Sequence, residues 1–154
     1  MKYIINSFLI LISVLTWGCS NDAWDDLPGD ISDFITEYFP GSNVKSYTNA
    51  ADGGHKVTIA NGATLIFDKN NRWIEIDGEG VKLPEVLIYD QLPPALYDYL
   101  QSTEQQKSVF AMCRDKHFYK LTMLDTVITY NIDTGGITYP GESSVTPSSV
   151  SKTS

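Results

Sequence analysis

Apolar residues recur along this chain with two different periods. Ile31, Phe34, Ile35 and Tyr38 stand at helical spacing, as do Leu96, Tyr99 and Leu100, and each group follows a Leu-Pro pair, Leu27-Pro28 or Leu92-Pro93. A proline at a helix start loses nothing by lacking an N–H, so both places are predicted helices, the first stopped by Pro40-Gly41. Elsewhere the apolar residues alternate: Val57 and Ile59, Leu65 and Phe67, then Tyr119, Leu121, Met123, Ile128, Tyr130 and Ile132. Alternation is the mark of strands with one covered face. Strands are expected near 43–49, 54–60, 63–68 and 72–77, and again near 107–114, 117–124, 127–133 and 136–139. The apolar run at 85–89 is open between a short strand and a packed connector.

The two halves of this pattern align. Leu27-Pro28 and the residues to Ile35 lie over Leu92-Pro93 and the residues to Leu100, 65 positions apart, sharing Leu-Pro-x-x-aliphatic-x-Asp-aromatic-aliphatic. His55 to Ile59 lies over Tyr119 to Met123, and Leu65 to Asp68 over Tyr130 to Asp133. A three-residue loop at 60–62 would set Val57 opposite Leu65, with Gly62 free to take positive φ. A two-residue turn at Asp125-Thr126 would set Met123 opposite Ile128 and Leu121 opposite Tyr130, which keeps the apolar side chains on one face. The expected fold is therefore α+β, a tandem duplication of a helix followed by a three- to four-stranded antiparallel sheet. Repeat 1 spans 27–80, a linker 81–91, and repeat 2 spans 92–139; the Ser/Thr-rich stretch 140–154 reads as a disordered tail.

The N-terminus changes the picture from a plain domain to an exported one. Lys2 precedes an apolar run that is too short for a comfortable bilayer span and ends at Gly18-Cys19, so residues 1–18 read as a signal peptide. Leu15-Thr16-Trp17-Gly18-Cys19 resembles a bacterial lipobox, which makes Cys19 the expected lipidation site and the outer membrane the expected anchor, with the domain facing periplasm or cell surface. Residues 19–26 form an acidic tether, read equally well as a spacer or as a surface-export signal. The chain carries a net charge of −8, which disfavours nucleic acid as a partner. With Cys19 acylated, Cys113 has no intramolecular partner and is expected as a buried, inert thiol.

Two units of Leu-Pro helix, strand, Asn61-Gly62 turn and a strand pair ending Phe67-Asp68 with Trp73 resemble the PepSY-like lipoproteins and periplasmic proteins, whose fold is similar to that of the β-lactamase inhibitor protein. The resemblance covers about residues 27–139. It departs in the second unit, where Asp125-Thr126 replaces Asn-Gly, Asn131 precedes Ile132, and no tryptophan follows. Such a resemblance implies binding or inhibition in the cell envelope without naming a target.

No catalytic or cofactor motif is present: no Gly-x-Ser-x-Gly, phosphate loop or dinucleotide fingerprint occurs. His55 and His117 lack metal-site spacing, and Asp68 to Arg72 lacks the glycine and distal glutamate of a calcium loop, so neither a metal nor a cofactor is expected. Aromatic and charged residues on the sheet face away from the helices are the expected working surface: Lys56, Thr58, Trp73 and Glu75 in the first unit, Phe118, Lys120 and Thr122 in the second. The plainer alternative packs Trp73 and Phe118 beneath loops or at the junction of the units. The expected function is a non-catalytic envelope lipoprotein that binds a protein partner, as an inhibitor or regulator of an exported enzyme. The alternative is a small-ligand or glycan-binding lipoprotein.

Overall fold

The computed structural model describes residues 22–60 and 62–140. The signal peptide 1–18, Cys19 and the tail from 141 onward lie outside the described residues. In chain order the elements are α1 (Asp22–Asp25), α2 (Gly29–Tyr38), β1 (Val44–Asn49), β2 (His55–Ile59), β3 (Thr64–Phe67), β4 (Trp73–Asp77), α3 (Glu85–Gln91), α4 (Pro94–Ser102), β5 (Val109–Arg114), β6 (Phe118–Met123), β7 (Val127–Asn131) and β8 (Ile137–Thr138).

The expected fold class is overturned. Instead of a duplicated unit carrying its own three- to four-stranded sheet, all eight strands form one antiparallel sheet in the order β1 to β8. The joint lies between β4 and β5, where Glu75 pairs with Cys113, Ile76 with Met112 and Asp77 with Ala111. Pairing continues past the strand ends, because Gly78 N–H donates to Phe110 O and Leu83 N–H to Val109 O, both at 2.8 Å. Buried strand backbone must find hydrogen-bond partners, and β4 and β5 supply them to each other. The duplication ended each expected sheet at its own last strand and gave no sign of this joint.

One hydrophobic cluster fills the space between sheet and helices. Ile31 and Ile35 of α2, Leu87 and Ile88 of α3, and Leu96 and Leu100 of α4 are fully buried, with Val57, Leu65, Ile76, Leu121 and Ile128 of the sheet beneath them. Each of the three longer helices begins after a Leu-Pro pair, with Pro28, Pro84 and Pro93 in extended backbone at the caps. The residues at 85–89 are thus helix α3, in place of the strand or connector expected there. Within the acidic tether, α1 forms one helical turn whose Ala23 and Trp24 pack against the core. No helix among the described residues is long and apolar enough to cross a membrane.

Registers follow the alternation closely in the first half. Val57 pairs with Leu65, and Gly62 takes φ +98°, as the three-residue loop requires. In the second half, Leu121 pairs with Ile128 and Tyr119 with Tyr130. The turn is therefore one residue earlier than Asp125-Thr126, closed by Met123 N–H to Thr126 O at 2.9 Å, with Leu124 at its exposed tip. The partner of Leu121 changes by two positions, an even number, so every core side chain keeps its face. Ile132 lies past the end of β7 and is exposed, not on the covered face.

Gly78 is the tightest point of the central joint. A Cβ there would lie 1.9 Å from Val81 O and 3.0 Å from Phe110 O, both backbone atoms with no freedom to yield. Gly78→Ala is expected to lower unfolding free energy by at least about 2 kcal/mol, through forced backbone movement, as measured by urea denaturation.

Candidate functional site

The helices cover one face of the sheet and leave the other open. Cross-strand register places the open-face side chains in rows. One row reads Thr48, Lys56, Ile66, Glu75, Cys113, Lys120, Thr129 and Thr138 across all eight strands. A neighbouring row contains Ser46, Thr58, Thr64, Asp77, Ala111, Thr122 and Val127. Lys56 and Lys120 stand four strands apart, about 19 Å at ordinary strand spacing, with Glu75 between them. Lys56, Glu75 and Lys120 are exposed, and Thr58 and Thr122 are partly so. Phe118, opposite Asn131 at the end of β6, is 37% exposed. Lys56, Thr58, Glu75, Phe118, Lys120 and Thr122 therefore share one continuous surface.

Trp73 does not join them. It is 2% exposed and faces the helices. Its position follows from a β-bulge: Phe67 pairs with Trp73 while Ile66 pairs with Glu75, so Ile74 is the extra residue. One inserted residue breaks the period of two, sending Trp73 and Ile76 inward and both Ile74 and Glu75 outward. The expectation that Trp73 points outward is corrected accordingly. Ile74, 38% exposed, occupies the surface position that simple alternation assigned to the tryptophan.

Buried, Trp73 needs a partner for its indole N–H and finds one. Nε1 donates to Gln91 Oε1 at 2.7 Å, and Gln91 Nε2 donates to Tyr38 Oη at 2.8 Å. The Tyr38 hydroxyl leans toward Asp90 at 3.4 Å; its burial pushes the phenol pKa up, against the lowering effect of Gln91. On the other side, the Arg114 guanidinium sits 4.0 Å from the indole centroid, and its Nε donates to Trp73 O at 2.8 Å. Tyr119 lies 6.1 Å away, centroid to centroid. This chain of contacts ties α2, α3, β4 and β5 together at one residue.

Two turns frame the same end of the sheet. In the β3–β4 turn, Asp68 accepts from the backbone N–H of Asn70 and Arg72 and pairs with the Arg72 guanidinium at 2.8 Å. Burial pushes the Asp68 carboxyl up, but the Arg72 backbone and guanidinium outweigh it and hold it below the ordinary carboxylate value. In the β5–β6 turn, Asp115 accepts from the backbone N–H of His117 and of Phe118, and chiefly the former holds its carboxyl low. His55 bonds Tyr47 and Asn49, and His117 pairs with Asp133 at 2.9 Å. No group of three or more His, Cys, Asp or Glu among the described residues is placed to hold a metal ion.

Cys113 was expected in the core but lies on the open face, partly exposed between Glu75 and Lys120. Burial pushes its thiol up, and Glu75 adds to that, so it is poorly suited to act as a nucleophile. Sequence reading also missed Arg114 and Ile74. A basic residue ending a strand and an isoleucine beside a bulge carry no periodic signal.

No protein-family model matches this chain, and no curated protein matches it. Solved structures do. A periplasmic protein of Bacteroides thetaiotaomicron named as calcium-regulated superposes with a TM-score of 0.59 at 23% identity, over 71% of this chain and 87% of its own. A periplasmic protein of the DUF2874 family from Bacteroides vulgatus gives 0.62 at 22%, over 80% and 93%. A second B. vulgatus periplasmic protein, of unknown function, gives 0.60 at 20%, over 72% and 89%. At these identities the likeness establishes a shared fold and nothing finer.

Trp73→Ala is expected to cost about 3–5 kcal/mol of stability, whereas Phe118→Ala stays within about 0.5 kcal/mol, a contrast read by chemical denaturation. Asp68 and Asp115 titrate below their unfolded values, so their contribution is full above the ordinary carboxylate range and is lost as pH falls from there through their lowered folded values. Asp115→Ala is expected to flatten the loss of stability between about pH 5 and about pH 2, followed by urea midpoints.

Proposed function

We propose that this chain is a non-catalytic binding module of the bacterial cell envelope, exported by its N-terminal signal and anchored through Cys19. It engages another exported protein through the open face of its sheet, in keeping with its PepSY-like sequence resemblance. The observation that supports this most is the uncovered face itself. Eight paired strands present Lys56, Glu75 and Lys120 in one row, with Ile66, Ile74 and Phe118 beside them. Alternating charge among partly exposed apolar groups is the composition of a protein-binding surface: the apolar groups supply area, the charges choose the partner. The periplasmic names of the three structural neighbours agree with export.

A second reading draws on the opposite side of the molecule. Tyr89 and Tyr97 meet nearly perpendicular with centroids 5.0 Å apart, beside Asp90 and Asp98, around a depression of about 430 Å3. An exposed aromatic platform flanked by carboxylates is suited to stacking on and hydrogen-bonding a sugar ring.

One experiment separates the two. The full chain and its Lys56→Glu/Lys120→Glu variant are used to capture protein from envelope extract, with circular dichroism confirming equal folding. The expected result is a stoichiometric partner retained by the natural chain and reduced at least tenfold by charge reversal. Equal retention by both chains would remove the open face from the reading. Stabilisation of the natural chain by an oligosaccharide panel, lost in Tyr89→Ala, would favour the second.

A further inference from the structure

At the end of the sheet where the β3–β4 and β5–β6 turns lie together, a groove of about 560 Å3 opens, lined by Arg72, Arg114, Lys116 and the apolar walls of Ile74 and Tyr119. A second groove of about 450 Å3 continues it toward Lys56 and Lys69, sharing Asp68, Arg72 and Ile74 with the first. Five of the chain's 11 basic residues thus lie along one path, against the three carboxylates Asp52, Asp68 and Asp115, on a molecule whose net charge is −8. Such a gathering concentrates positive potential where the rest of the surface is negative.

Arg114 is the best-defined receptor on that path. Stacking on Trp73 and the bond from Nε to Trp73 O fix its plane, and Trp73 is itself fixed by Gln91. The two terminal nitrogens have no hydrogen-bond partner among the described residues, and Arg114 lines the groove. A planar fork whose torsional freedom is already spent binds a two-oxygen anion with little further ordering cost. Arg72 differs, because Asp68 already occupies its fork.

We infer that Arg114, with Lys116 beside it, receives a carboxylate from an acidic, extended peptide segment of the protein partner, the segment continuing past Arg72 toward Lys56 and Lys69. This rests on the protein-binding reading above and gives that partner its chemistry. Two features select this ligand. Two linked grooves suit an extended chain better than a compact anion. Asp68 and Asp115, with Asp52 further along, also stand in the walls, which penalises a phosphate that concentrates two charges at one point more than single carboxylates spaced along a chain.

The test follows the Arg114 Nε–H and Trp73 Nε1–H signals of the 15N-labelled full chain by nuclear magnetic resonance. The probes are acetyl-tetraglutamate amide, its tetraglutamine counterpart and inorganic phosphate. Tetraglutamate is expected to move both signals saturably, and tetraglutamine to leave them in place. Arg114→Lys, which keeps a cation near Trp73 but not the fork, is expected to weaken the tetraglutamate affinity at least tenfold while circular dichroism shows the fold retained. Lys116→Ala is expected to weaken it two- to fivefold. The inference is overturned if tetraglutamate gives no saturable shift, if Arg114→Lys binds as the natural chain does, or if phosphate alone saturates the signals. Should it fail while Lys56→Glu/Lys120→Glu still loses a captured partner, the carboxylate assignment is wrong and the protein-binding reading stands; loss of both results removes that reading too.

Discussion

The pairing of β4 with β5 is the constraint on which the molecule depends. Without it, the backbone groups of both strands would need water or another partner at the centre of the fold, and three helices would have no single surface to cover. With it, Ile76 and Met112 become neighbours beneath the helices, and one hydrophobic cluster extends from Val44 to Tyr130. The close approach of Gly78 to Phe110 and Val81 shows how little slack the joint has. The same pairing makes the outer surface continuous, because it joins Glu75 to Cys113 in a row that would otherwise end at each of them. Core and candidate surface are two faces of one set of hydrogen bonds.

Trp73 carries this coupling further. The bulge at Ile74 turns the indole under the helices, where its area stabilises the core and its N–H reaches Gln91. Its ring then supports Arg114 from below. A residue that belongs wholly to the interior thus sets the position of a charge at the surface. The arrangement separates the group that provides rigidity from the group that provides chemistry, as is common where recognition needs a fixed geometry.

What could be read from the residues, and what could not, divides along physical lines. Helical spacing at Ile31, Ile35, Leu96 and Leu100 and alternation at Val57, Ile59, Leu65 and Phe67 are local signals, and the elements stand where those signals lie. The Leu83-Pro84 pair repeats the sign that marks α2 and α4, yet the run at 85–89 was short enough for its apolar content to suggest other structures. The strand order was beyond such reasoning. Which strand pairs with β4 depends on a contact between residues nearly forty positions apart, and periodicity says nothing about it. The bulge was equally hidden, since one extra residue at Ile74 reverses the side of Trp73 without changing composition. Of the surface residues picked out by alternation, Lys56, Thr58, Glu75, Phe118, Lys120 and Thr122 share the open face, and Trp73, beyond the bulge, does not.

The bulge at the start of β1 has a different bearing. Val44 pairs with Ile59 and Ser46 with Thr58, leaving Lys45 as the inserted residue on an outermost strand. At the far side of the sheet, β8 spans only two residues. Among the described residues the eight-stranded sheet has two outer edges, and an unpaired edge can template a further strand from another molecule. A kinked margin bearing a lysine, and a margin too short to nucleate pairing, deny that template at both ends. A broad, partly apolar sheet is thereby displayed without a ready template for propagation from one copy to the next.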